Sequence, residues 1–257
     1  MNDSLAHQTA IVVPARLDSQ RIPRKLLVEI AGKPLILWTA EQIAREVPEF
    51  GLWFAVDGDE IGEILKNSGF GTVSTDPDLP SGTDRIAVAN DTIGAKSVIN
   101  VQADEPLVTR GQILSLAETL SKSEADMATL ACRFESLDDF RDSNQVKVVR
   151  DKEGFAMYFS RSAIPHPRDD WQAVESEGFP AFRHIGIYAY SSEFLQAFRQ
   201  FAQGALEKIE KLEQLRAMEN GHRIAVGLTN EPSIGVDSIE DLNRVAPLLQ
   251  ASAINEA

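Results

Sequence analysis

The sequence predicts an α/β fold with a mostly parallel sheet covered by helices on both faces. Three observations carry that expectation. In the first half, short β-branched apolar runs alternate with helical segments, the order that builds parallel β-α-β units. A chain of 257 residues, 43% hydrophobic and 25% charged, is long and apolar enough to bury the core of one large domain. In the second half several strands alternate apolar and polar residues as antiparallel strands do, which points to a smaller, less regular part.

The run from Thr9 to Ala15 is apolar and β-branched and reads as a buried strand that empties into a cationic segment. Pro34 suits a first helical turn, so a helix is expected from there to about Glu46. Leu52–Val56 reads as a strand, Asp59–Asn67 as a helix and Thr72–Ser74 as a short strand. A helix from Thr83 to about Asp91, a strand Ser97–Val101 and a helix from about Arg110 to Ser121 continue the pattern. Further on, Met127–Arg133, Val146–Arg150, Phe155–Ser160 and His184–Tyr190 read as strands, and residues 162–182, with three prolines, as a long loop. Helices are expected at Glu193–Phe201 and Ala205–Asn220, with Gly221 as terminator, then a strand Arg223–Leu228 and a last helix Ser238–Leu249. In open α/β sheets ligands bind at the carboxyl ends of the strands, so the loops after Ala15, Ser74 and Val101 should share one mouth.

Composition removes several function classes. The chain carries 25 Lys and Arg against 39 Asp and Glu, a formal net charge of −14, which lacks the basic footprint that nucleic acid or anionic lipid requires. Cys132 is the single cysteine, so no intramolecular disulfide and no cysteine-rich zinc site can form, and a cytoplasmic setting is expected. The N-terminus lacks a signal-peptide pattern, and no apolar stretch approaches about 18 residues, so neither export nor membrane spanning is expected.

Against that acidic background, Arg16, Arg21, Arg24 and Lys25 fall within ten residues just past Pro14 and Ala15. Such a cluster either neutralises a polyphosphate, Arg by forked hydrogen bonds and Lys as a point charge, or is a solvated basic loop. It is not a Walker A loop, because the Gly-Lys-Ser/Thr ending is missing. Asp104 and Glu105 follow Gln102 past an apolar strand, where a carboxylate can hold magnesium or simply cap a turn. Asp237 has the same two readings at the start of the last helix. Ser81 opens a Gly-containing cap whose free amides suit an anion or a base. Alternation places His184, Gly186 and Tyr188 on one strand face, as a reader of hydroxyl and carboxylate groups or as structural residues. Leu206, Ile209, Leu212 and Leu215 form an apolar stripe beside Glu207, Glu210 and Glu213, which reads as a buried face next to a solvated one.

Taken together, PAR with R-I-P-x-K, PSGTDR, NVQADEP, QVKVV, GFAMYFSRSAIP, RHIGIYAY, LEQLR and GVDSIEDL, in order over nearly the whole chain, resemble the 3-deoxy-manno-octulosonate (Kdo) cytidylyltransferases. The resemblance implies a nucleotide-diphosphosugar-transferase-like fold and one catalytic domain over residues 1–257. A dimerisation and sugar-binding subdomain would be inserted at about 130–220, in a homodimer. It implies transfer of a cytidylyl group from CTP to an anionic octulosonic acid for lipopolysaccharide synthesis, with release of pyrophosphate. Carried over by position, Pro14, Ala15, Arg16, Arg21, Lys25, Ser81 and Gln102 would bind CTP. Gln102, Arg161, His184, Gly186, Tyr188, Glu213 and Gln214 would surround the sugar acid, and Asp104 and Asp237 would coordinate Mg2+.

The sequence departs from the family pattern at Arg24, where Gly is usual, at Leu26 in place of Pro, at Ala103 in place of Gly, and at Gly204-Ala205-Leu206 in place of P-S-x-L. An Arg does not adopt positive φ cheaply, so either the loop takes another path or an additional cation enters the phosphate site. One branch of the family, similar in its Y-A-Y and L-E-x-L-E-Q-L-R segments, uses 8-amino-Kdo, which stands as an alternative substrate. Two others are a related transferase acting on another nucleotide or a nonulosonic acid, and a catalytically idle nucleotide-binding homologue.

Overall fold

The computed structural model describes residues 6–17, 22–176, 178–232, 234–236 and 238–255. Two compact units emerge: Met1–Ile113 with Ser233–Ala257, and Leu114–Pro232.

The first unit is built on four parallel strands in the order β6-β1-β4-β5: β1 Thr9–Ala15, β4 Gly51–Val56, β5 Gly71–Ser74 and β6 Ser97–Asn100. Every residue of β1 is buried, as an unbroken apolar strand between two neighbours requires. Its ladder with β6 runs to Val12↔Asn100, so Pro14, with no N–H to give, lies past the end of that pairing. A small hairpin, β2 Glu29–Ile30 with β3 Lys33–Pro34, was not legible in the sequence. The helices are α1 Leu35–Glu46, α2 Asp59–Asn67 and α3 Gly82–Ile93. Ile30, Leu35 and Trp38 pack with Val236, Val245 and Leu249, which seats the last helix, Ile239–Asn255, on this unit. Because the four strands run in parallel, the loops after Ala15, Val56, Ser74 and Asn100 all leave from one end of the sheet.

The helix α4, Arg110–Lys122, runs across the division into the second unit. There β7 Met127–Cys132 lies between β11 Ile224–Leu228, parallel to it, and β10 Ala181–Ser191, antiparallel; β8 Lys147–Arg150 pairs with β10 and with β9 Ala156–Ser160. Short helices α5 Leu137–Arg141, α6 Ser192–Phe198, α7 Ala205–Glu210 and α8 Gln214–Glu219 complete it. Residues 162–182 are less irregular than expected: Trp171–Glu175 form a 3-10 turn, and Val174 packs with Phe134, Phe140, Phe179 and Ala181 in a separate core.

The single helix expected over Ala205–Asn220 is two. Lys211 sits in the left-handed region at φ 55°, and the chain turns between α7 and α8. The expected faces are also reversed on α7: Ile209 is 78% exposed and Leu206 38%, while Glu207 is buried. The buried carboxylate is explained by Arg216, which donates Nε and Nη2 to Glu207 at 2.8 and 2.7 Å. The Gly204 departure has a reason here as well. A Cβ on Gly204 would fall 1.9 Å from Oε2 of Glu219, whose carboxylate accepts the Leu206 and Glu207 amides and so caps α7.

Arg24 resolves differently from both expectations. It takes φ 55° and ψ 36°, so the loop keeps a glycine-like turn, and its guanidinium pairs with the exposed carboxylate of Glu60 on α2. A non-Gly residue there costs about 1–2 kcal/mol, set against an exposed ion pair worth at most about 1. Arg24→Gly is therefore expected to leave stability unchanged or raise it by up to about 1 kcal/mol, measured by urea unfolding.

Candidate active site

The sequence-predicted residues of the first unit divide into three groups. Arg16 is exposed directly past β1, and Ala15 before it is buried. Lys25, at the start of a 3-10 turn Lys25–Leu27, is drawn in and pairs with Asp104, 79 residues on. Arg21 and Asp237 lie outside the described residues.

Asp104 is held by its surroundings on both sides. Thr39 of α1 donates its hydroxyl to the Ala103 carbonyl at 2.8 Å, and Val236 donates its amide to the Asp104 carbonyl at 2.9 Å. Gly235 leaves room here, since a Cβ would stand 3.1 Å from the Glu105 carboxylate. Gln102 lines the same turn, and its carbonyl accepts from the Glu105 amide at 3.2 Å. Ser81 caps α3: its hydroxyl oxygen accepts from the Asp84 amide at 3.1 Å and donates to the Asp84 carboxylate at 2.6 Å. Among the described residues no three His, Cys, Asp or Glu side chains gather into a metal cage. One or two carboxylates are nonetheless what magnesium takes from protein, with phosphate oxygens and water supplying the rest.

In the second unit the structure brings His184, Tyr188 and Glu213 together. The β10–β7 register runs Ile185↔Leu130 and then Tyr188↔Thr129, so Gly186 and Ile187 form a bulge. Two extra residues preserve the alternation, and His184, Gly186 and Tyr188 keep one face as predicted. The Thr129 hydroxyl fills the bulge, 3.1 and 2.8 Å from the carbonyls of Ile185 and Ile187 and 3.0 Å from Nε2 of His184. Its one proton goes to a carbonyl, so its oxygen receives Nε2–H and Nδ1 of His184 is left as an acceptor. Around the imidazole stand Phe159 and Tyr188, with ring centroids 5.1 and 5.4 Å away. Nothing lies within 4 Å of where a Gly186 Cβ would be.

Burial sets the protonation states. The His184 pKa is pulled down to about 3 by desolvation, so the imidazole is neutral at physiological pH. Tyr188 is pushed well above its ordinary value by desolvation, with Tyr190 and Glu213 adding to it, so the phenol stays a donor. Since unfolded His184 titrates near 6.5 and folded His184 near 3, the unfolded chain takes up the proton first. The stability held by neutral, half-buried His184 is present above pH 6.5 and is lost as pH falls from there toward 3. The Tm gap between wild type and His184→Gln should thus be constant above pH 6.5 and narrow below it; a constant gap throughout would contradict this.

Arg161 is fastened to α7: its amide donates to the Glu210 carboxylate at 3.0 Å and its Nε to the Glu210 carbonyl at 2.8 Å. Gln214 is buried, and its Nε2 has no acceptor among the described residues. Sequence reasoning missed Lys147 and Thr129. Lys147 is fully buried and donates its three ammonium hydrogens to the carbonyls of Asp142, Gln145 and Arg161, at 2.6, 2.8 and 2.8 Å. A lone Lys opening an apolar strand, and a lone Thr within one, were the available signals.

Comparison with known proteins identifies the family. A cytidylyltransferase family model matches residues 10–224. The 3-deoxy-manno-octulosonate cytidylyltransferase of Geobacter sulfurreducens is 42% identical over 245 residues, 93% of this chain and 98% of its own. That of Aliivibrio salmonicida is 42% identical over 244 residues, with the same coverage of both chains. A solved CMP:2-keto-3-deoxy-manno-octonic acid synthetase complexed with CTP superposes with a TM-score of 0.86 at 32% identity, covering 95% of this chain and 99% of that one. A cytidylyltransferase from Leptospira borgpetersenii, 13% identical with a TM-score of 0.60, covers 93% of this chain and 85% of its own and shares the fold. With relatives so similar along nearly their whole length, the chain belongs to the 3-deoxy-manno-octulosonate cytidylyltransferases, a family of nucleotidyltransferases.

Proposed function

We infer that this protein transfers the cytidylyl group of CTP to the anomeric hydroxyl of Kdo and releases pyrophosphate. The observation that carries the reading is the Lys25–Asp104 contact at the carboxyl ends of four parallel strands, where a cation for phosphate and a carboxylate for a metal come from distant parts of the sequence. Both reactants are anions, so charge neutralisation and positioning are the main tasks. Arg16, Arg21 and Lys25 balance charge on the triphosphate and on departing pyrophosphate, beside Pro14 and Ala15. Ser81 and Gln102 complete the nucleotide contacts. Magnesium would be held by Asp104 and Asp237, supplying a Lewis acid that lowers the pKa of the attacking hydroxyl. Arg161 meets the sugar's carboxylate, Nδ1 of His184 accepts from a hydroxyl and Tyr188 donates to one, with Gly186, Glu213 and Gln214 beside them.

The second unit would also carry the contact of a homodimer, and a cytoplasmic setting fits the chemistry. No helix among the described residues is long and apolar enough to cross a membrane. The test is pyrophosphate release with CTP, UTP and ATP, each with Kdo and with 8-amino-Kdo. CTP and Kdo should give the highest kcat/KM. Preference for the amine would move the substrate to the 8-amino branch, and preference for UTP or ATP would move the nucleotide. Nucleotide binding without release would leave an idle homologue.

A further inference from the structure

We infer that Arg85 is a positioning residue for the nucleotide site: from beneath the mouth it holds Asp57, and Asp57 fixes the start of the Arg16–Lys25 segment through the Leu17 amide. The inference rests on the reading of that segment as the CTP phosphate loop.

Arg85 is the fourth residue of α3 and is completely buried. Its Nη1 donates to the Thr75 hydroxyl, which passes its own proton to the Val56 carbonyl at 2.8 Å. Its Nη2 stands 3.6 Å from Oδ2 of Asp57, an ion pair longer than a hydrogen bond, and neither Nε nor Nη2 has an acceptor among the described residues. The other carboxylate oxygen of Asp57 accepts the Leu17 amide at 3.0 Å, one residue past Arg16. Loop ends of β1, β4 and β5 are thereby tied to one guanidinium.

A buried, incompletely hydrogen-bonded cation is a poor way to stabilise a fold, since an apolar pair of similar volume does as well or better. What an apolar pair cannot do is keep an acceptor aimed at the Leu17 amide. Burial holds the Arg85 pKa below its ordinary value and the nearby Arg16 adds to that, with Asp57 and Asp76 opposing it, so the guanidinium lies within electrostatic reach of the segment's first cation. A triphosphate arriving there would relieve the repulsion.

The test is calorimetric titration of CTP into the full chain and into Arg85→Met, Arg85→Lys and the paired Arg85→Met/Asp57→Leu, with Tm recorded for each. Arg85→Met should bind CTP at least about tenfold more weakly, and Arg85→Lys, which keeps the charge, within about threefold of wild type. The paired variant has no lone buried charge and should regain most of the lost Tm while its CTP binding stays about tenfold weak, because Leu17 has lost its acceptor. Should Arg85→Met fail to fold, the paired variant carries the test. Wild-type CTP affinity in Arg85→Met or in the paired variant overturns the inference, as does an Arg85→Lys protein no better than Arg85→Met. Absence of CTP binding by the wild type would instead count against the nucleotide reading and not against Arg85.

Discussion

Asp104→Asn is expected to lower turnover at least about a hundredfold at saturating CTP, equivalent to roughly 3 kcal/mol of transition-state stabilisation. The amide keeps the size of the side chain and one acceptor oxygen, so the Thr39 and Val236 contacts, which involve main-chain carbonyls of Ala103 and Asp104, survive. What disappears is a full negative charge facing the Lys25 ammonium and available to a hard divalent cation. The fold should therefore be intact while the chemistry fails. Single-turnover pyrophosphate release, with Tm as control, separates the two. The dependence of rate on magnesium concentration should also move to higher values. Near-normal turnover would remove Asp104 from the reacting centre.

That Lys25 and Asp104, two residues the sequence singles out, come together follows from the topology. Each residue lies in the connection that follows an apolar, β-branched strand, and parallel strands deliver their loops to one end whatever the intervening helices do. The strand Thr9–Ala15 and the helix Asp59–Asn67 were legible to the residue for the same reason, since burial on one or both sides writes itself into the apolar pattern. His184 and Tyr188 were placed on one face correctly although the bulge between them was invisible, because a shift of two residues leaves parity unchanged. The Arg24 expectations fail because the left-handed cost is small enough for the fold to carry, and the partner that takes its guanidinium, Glu60, lies 36 residues away. Thr129, Lys147 and Arg85 escaped because their partners are carbonyls, a hydroxyl and a carboxylate assembled by the fold, which no periodicity records.

The region 205–219 was read least well, and it supports the second large effect. An apolar residue every third position describes a helical stripe but does not say which side of the helix meets the core, and the buried side of α7 is the one that carries Glu207. Glu207→Gln preserves shape yet leaves the Arg216 guanidinium, 2% exposed and 4.5 Å over the Phe198 ring, without its counter-charge. Removing one partner of such a pair costs about 3–5 kcal/mol, and for a chain of this size each kcal/mol moves Tm by roughly 2–4 °C. The expected loss is thus on the order of 10 °C by thermal unfolding. Replacing the two together, Glu207→Leu with Arg216→Met, should recover most of it; a paired variant as unstable as the single one would show that the hydrogen bonds, and not the lone charge, account for the loss. Six-residue helices such as α7 and α8 do not persist unaided, so the pair and the Glu219 cap act as the clamps that hold the turn from Lys211 to Glu213. With the clamp weakened, KM for the sugar acid should rise because Glu213 and Gln214 ride on that turn, while KM for CTP, whose proposed ligands lie in the other unit, should stay unchanged.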